Sequence, residues 1–214
     1  MERAAVRARF ATRNIPLVTF TLIAINLAIY VICLAFSNFD LLRTAAHSGN
    51  PIYQWGVEVG LSYIQQDPTQ VYRIFTAMFL HESIIHVGFN MLSLYFVGII
   101  TEQIFGRWRF LTIYLLSGII AGIAQAVLAP TGFALGASGA IFGIFGAFGI
   151  FFLLYRRVLG SAANAVLGQW FFWLVLNFVF DFSACGIGIY DHIGGLIAGM
   201  ALGALLIPGI VQRR

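Results

Sequence analysis

Charges are so sparse in this chain that they divide it into long uncharged runs, and the bilayer supplies the ruler for reading them, since a spanning helix needs about 20 apolar residues. The intervals Arg13 to Asp40, Glu82 to Glu102, Arg157 to Asp181 and Asp191 to Arg213 each enclose one run. The interval Arg109 to Arg156 is too long for one helix and is broken by the turn signal Ala129-Pro130-Thr131-Gly132, so it reads as two spans. Six spans are predicted, roughly 16–37, 84–104, 109–128, 138–154, 164–181 and 191–210. Composition agrees: 60% of residues are hydrophobic and 9% charged, against about 25% charged in soluble domains.

An even number of spans puts both termini on one side, and basic residues in short loops stay cytoplasmic. Arg3, Arg7, Arg9, Arg13, Arg107, Arg109, Arg156, Arg157, Arg213 and Arg214 share one side, with only Arg43 and Arg73 on the other. Both termini are therefore expected in the cytoplasm. The net charge of +4 reflects this topology and calls for no nucleic-acid partner.

The expected architecture is an all-α membrane protein with a single domain over 1–214 and a long outer loop, 38–76. The apolar stretch of the first span exceeds a typical signal-peptide core and no clear small-residue cleavage site follows, so it reads as a retained helix. Tyr53, Trp55, Tyr63 and Tyr72 suggest that the loop lies partly at the headgroup level; a solvated connector is the alternative. Cys33 and Cys185 match no metal spacing and read as unpaired thiols.

Helix contacts are marked by glycine. Gly118 and Gly122 lie on the third span, Gly139, Gly143 and Gly146 on the fourth, and Gly195, Gly199 and Gly203 on the sixth. Small residues four apart let membrane helices approach closely, so the fourth and sixth spans should touch. Both run inward from the outer side and begin with Ser138 and His192. His192 precedes Gly195 by three residues and shares its face. A serine hydroxyl beside an imidazole is a nucleophile with its general base. A membrane serine alone more often bonds its own helix, but an ionisable residue at membrane depth favours a functional role.

The second span opens with His81-Glu82-Ser83-Ile84-Ile85-His86-Val87-Gly88-Phe89-Asn90. His86 and Asn90 are four apart, so both can aim donors at one point, as a developing alkoxide requires. Two alternatives are a metal site of the three histidines and Glu82, which lacks zincin spacing, and a proton or ion pathway, which lacks a mid-span carboxylate.

Together these residues resemble the rhomboid proteases. Gly136-Ala137-Ser138-Gly139 is similar to that family's Gly-x-Ser-Gly signature. His81, His86 and Asn90 resemble its His-x4-His-x3-Asn pattern, His192, Gly195 and Gly199 its His-x2-Gly-x3-Gly pattern, and Glu102 with Gly106 its structural Glu-x3-Gly element. The resemblance runs from the first span to the sixth.

That resemblance implies a six-helix rhomboid-like bundle whose dyad lies in a water-filled cavity open to the outer side. It implies Ser138 as nucleophile and His192 as base, an oxyanion hole of Asn90, His86 and the Ser138 N–H, and a supporting role for His81 and the glycines Gly136, Gly139, Gly195 and Gly199. No cofactor and no third acid are expected: Asp191 neighbours His192 but points about 100° away on an α-helix, and Asp181 is the other nearby acid. The expected partners are transmembrane protein substrates in a lipid bilayer, the expected location a bacterial inner membrane. Tyr72-Arg73 stands where many members have Trp-Arg, and Phe142 where some bacterial members have a tyrosine against the catalytic histidine. A catalytically silent client-binding relative is the competing reading, and a small transporter a third. The loop from Ser183 to Ile189 reads as a mobile cap over the outer ends, with the helix from Trp170 to Phe180 able to tilt and admit a client.

Overall fold

A computed structural model describes residues 15–44, 50–183 and 188–208. The first apolar helix, α1, is Leu17–Ala35. The following loop is not loose chain. It folds into α2 (Pro51–Gly56), strand β1 (Glu58–Val59), α3 (Leu61–Gln66), a tight helical turn over Pro68–Tyr72, α4 (Arg73–Thr76) and a second tight turn over Ala77–Phe79. The second apolar helix combines α5 (Ile84–Ser93), a widened π turn at Leu94–Gly98 and α6 (Ile99–Phe105). Then come α7 (Arg107–Leu128), strand β2 (Phe133–Ala134), α8 (Ser138–Leu154), the short α9 (Arg156–Leu159), α10 (Ser161–Ser183) and α11 (Ile189–Leu205).

Three of these helices, Leu17–Ala35, Ile84–Phe105 and Arg107–Leu128, are long and apolar enough to cross a bilayer, and three shorter apolar helices accompany them. Large apolar side chains such as Phe20, Val31, Ile123, Phe171, Val179 and Ile197 point outward from them. Such an apolar exterior suits a multi-pass membrane protein, since lipid takes the place of water around it.

The molecule is mostly helical, with one departure from the all-α expectation. Strand β1 pairs antiparallel with β2, Glu58 opposite Ala134 and Val59 opposite Phe133. Two-residue strands have no readable periodicity, and here they satisfy backbone groups where the long loop after α1 meets the turn after α7.

At the centre, α8 is buried along nearly its whole length and its closest partner is α11. A Cβ on Gly195 would collide with the Gly139 carbonyl oxygen, and one on Gly199 with that of Gly143. The two backbones touch, which only glycine permits. The glycines of α7 serve differently. A Cβ on Gly118 would run into Met78, and one on Gly122 would come within 2.9 Å of Ile74 Cγ2 and 3.0 Å of Glu58 Oε2. The long loop after α1 is therefore packed onto α7.

Helix α1 has no side-chain cap of its own. Glu102 supplies one from the second helix: its Oε1 accepts from the Val18 N–H at 3.1 Å, and its Oε2 from the Thr19 N–H and hydroxyl at 2.7 Å each. Gly106, with φ of 81°, then turns the chain into α7. Cys33 is buried and free. Cys185 and most of the expected cap loop lie in 184–187, outside the described residues, as does the side chain of Asp181.

Candidate active site

Ser138 is the first residue of α8, and His192 lies in the first turn of α11. Because glycine brings those helices into backbone contact, their first turns converge. His192 Nε2 stands 2.9 Å from Ser138 Oγ, and both residues are buried, at 4% and 7% exposure. Gly188, with φ of 85°, opens α11, and its carbonyl accepts from the His192 N–H at 3.0 Å.

The imidazole is held by rings. Phe142, one turn along α8 from Ser138, stacks on it with centroids 4.5 Å apart and planes 15° apart. Phe178 of α10 meets it edge-on at 6.1 Å. With a face and an edge occupied, the ring keeps the orientation that aims Nε2 at the hydroxyl.

His86 borders the same space from the other side. At Gly136, φ is 130°, and the point where its Cβ would begin is 2.9 Å from His86 Nε2 and 3.5 Å from Ser138 Oγ. Glycine is required there both by backbone angle and by room. Asn90 is buried one turn along α5, and its amide donates to the His86 carbonyl at 3.2 Å, leaving a second N–H. No side chain caps the start of α8, so first-turn N–H groups there are available to an acceptor from elsewhere.

His81 stands behind this set. Its ring meets that of His86 edge-on at 5.1 Å, and its Nε2 accepts from the Ala137 N–H at 3.5 Å. Burial, and secondarily the His86 ring, hold the His81 imidazole well below its usual range, so it is neutral. The Tyr53 hydroxyl donates to the His81 carbonyl. Among the described residues, no three of His, Cys, Asp and Glu are grouped as a metal ion would require.

The structure thus brings Ser138, His192, His86 and Gly136 around one small space, with Asn90 and His81 adjoining it and Gly139, Gly195 and Gly199 forming the contact beneath. Sequence reasoning missed Tyr53, Phe178 and Gly188. Tyr53 was legible only as an interfacial aromatic, and Phe178 looks like any phenylalanine in an apolar helix.

Comparison with known proteins places the chain in a family. The chain is 38% identical over 142 residues to Rhomboid protease GluP of Bacillus subtilis (strain 168), covering 64% of this chain and 26% of that protein. It is 38% identical over 138 residues to RHOMBOID-like protein 2 of Arabidopsis thaliana (64% and 43%). It is 34% identical over 162 residues to Rhomboid-type serine protease 2 of Emericella nidulans (69% and 29%). The chain thus spans less than half the length of these relatives. The Rhomboid domain model matches residues 68–209, a stretch that contains every histidine of the site together with Asn90 and Ser138, and on that match the chain belongs to the rhomboid family.

Proposed function

We propose that this protein is an intramembrane serine endopeptidase that cleaves single-span membrane proteins near the outer face of the bilayer. The observation that carries the reading is the 2.9 Å approach of His192 Nε2 to Ser138 Oγ inside an apolar bundle. A hydroxyl so placed passes its proton to a neutral imidazole as its oxygen bonds to the scissile carbonyl carbon. Negative charge then develops on the carbonyl oxygen. His86, the second N–H of Asn90 and the Ser138 backbone N–H are the donors for it, in a buried setting where donors already in place are more effective than bulk water.

Collapse of the tetrahedral species breaks the C–N bond, and the imidazolium returns its proton to the departing amine. Water then attacks the acyl-enzyme, with His192 again taking a proton, and Ser138 is regenerated. His81 does no chemistry in this scheme; it bonds the Ala137 N–H next to the nucleophile. No step calls for a cofactor.

In this reading residues 1–214 form one membrane domain with both termini cytoplasmic, in a bacterial inner membrane. The arginine distribution supports that orientation. Helix α8 also supports a recessed site, because 17 residues reach about 25 Å, short of the hydrocarbon thickness of about 30 Å.

The test is cleavage of a single-span client by purified protein in detergent and in liposomes. Wild type is expected to release two fragments cut near the outer end of the client's span, and Ser138→Ala to release none while still binding it. Binding without cleavage by wild type would instead support a catalytically silent client-binding protein.

A further inference from the structure

Glu58 belongs to the outer loop, where a glutamate ordinarily faces water, yet it is only 4% exposed and its buried Oε1 has no hydrogen-bond partner. Backbone anchors fix it there. Its strand pairs with β2, and the three preceding carbonyls are each held: that of Trp55 by the Tyr72 hydroxyl at 2.8 Å, that of Gly56 by the Thr76 hydroxyl at 2.9 Å, and that of Val57 by Arg73 Nη1 at 3.1 Å. Its Oε2 reaches within 3.0 Å of the space a Gly122 side chain would occupy.

Ala121, the next residue of α7, crowds a second such space. The point where a Gly139 side chain would begin is 2.7 Å from the Ala121 methyl and is filled by the carboxyl oxygens of Asp191. Two carboxyl groups therefore lie near consecutive residues of α7, that of Glu58 at Gly122 and that of Asp191, the residue before His192, near Ala121. Burial, and then repulsion from Asp191, push the Glu58 carboxyl up to about 9, so it is neutral at physiological pH. Of the elements packed around it, α11 brings Asp191, α7 has no charge beyond Arg109, β2 has none, and α4 brings Arg73, whose guanidinium is on the Val57 carbonyl.

We propose that Glu58 is a positioning residue for the dyad, its neutral carboxyl sharing the α7 surface with that of Asp191 and so letting the first turn of α11, and with it His192, settle against Ser138. This rests on the protease reading. Ionised, Glu58 would set a second negative charge against Asp191 and push β1 and α11 apart.

Two readouts on wild type, Glu58→Gln and Glu58→Ala test the idea: melting temperature, and kcat and KM for a single-span client, each across pH. The folded value of about 9 lies above the unfolded value of 4.5, so stability from keeping the proton is complete below the lower value and is lost as pH rises through the upper one. Relative to Glu58→Gln, wild type should therefore lose melting temperature between those two values and level off above them. Its kcat should fall about tenfold one pH unit beyond the titration, with KM little changed, while Glu58→Gln retains its neutral-pH kcat there. Glu58→Ala should have low kcat at every pH, rescued by the glutamine. Identical melting profiles for wild type and Glu58→Gln would overturn the carboxyl pair. Distinct melting profiles with the same alkaline loss of kcat in both would overturn the positioning role and leave Glu58 a purely structural residue. Absence of wild-type cleavage at every pH would overturn the protease reading, and the positioning role with it, while the melting curves still decide the pair.

Discussion

Phe142 lies flat against His192, centroids 4.5 Å apart and planes 15° apart, and its ring carries no hydroxyl. The contact is therefore one of shape and quadrupole alone. An aromatic pair of this kind is worth about 0.5–1.5 kcal/mol beyond buried area, so Phe142→Ala should lower kcat about two- to tenfold. Phe142→Tyr should restore it, because the ring is what orients the imidazole. Equal loss in both variants would place the effect in packing of α8 and not in the stack.

In the proposed reaction Asn90 and His86 donate to the developing oxyanion, and such donors act in the transition state only. Asn90→Ala should lower kcat on the order of 10²–10³ with a small change in KM. His86→Ala should resemble it more than it resembles loss of Ser138. A rise in KM with kcat unchanged would assign these residues to client binding instead.

Ser93 on α5 donates to Asn177 Oδ1 on α10 at 2.7 Å, both residues being buried. This bond spans the two helices between which a client is expected to enter, beside a cavity of about 170 Å³ lined by Phe96, Trp170 and Trp173 among others. Interhelical bonds in membranes average about 0.6 kcal/mol, so Ser93→Ala should raise kcat/KM for a membrane client by up to about threefold. A cysteine pair at these two positions, once oxidised, should stop cleavage of that client; full cross-linking with unchanged turnover would reject entry there.

Glu102 caps α1 with three hydrogen bonds from another helix. Removing a buried acceptor strands its donors at about 1–3 kcal/mol, so Glu102→Ala should lower the melting temperature while its folded fraction keeps the wild-type kcat. A fall in kcat at unchanged melting temperature would contradict a purely structural role.

Much of the architecture was legible because membranes constrain sequence. Uncharged runs marked the apolar helices to within a few residues, and the glycine spacing predicted the contact of α8 with α11. What was hidden has a common cause: partners distant in sequence with no periodic signal. Gly118 and Gly122 were readable as sites of close approach, but not as the floor on which Ile74, Met78 and Glu58 of the outer loop rest. Glu58 itself read as an outer-loop charge, since its burial depends on β2 and Gly122, partners distant in sequence. The π turn at Leu94–Gly98 left no mark either, its Leu-Tyr-Phe-Val-Gly being as apolar as ordinary helix. The site was easier because its residues are polar where polarity is costly.

The central claim is that Ser138 is a nucleophile activated by His192, and reaction with a fluorophosphonate probe followed by mapping of the adduct tests it most directly. Wild type in detergent should carry one adduct, on Ser138. Ser138→Ala should carry none, and His192→Ala almost none, since nucleophile and base act as a unit. A folded wild type that takes up no probe, or one labelled at another serine with Ser138→Ala labelled equally, would contradict the account.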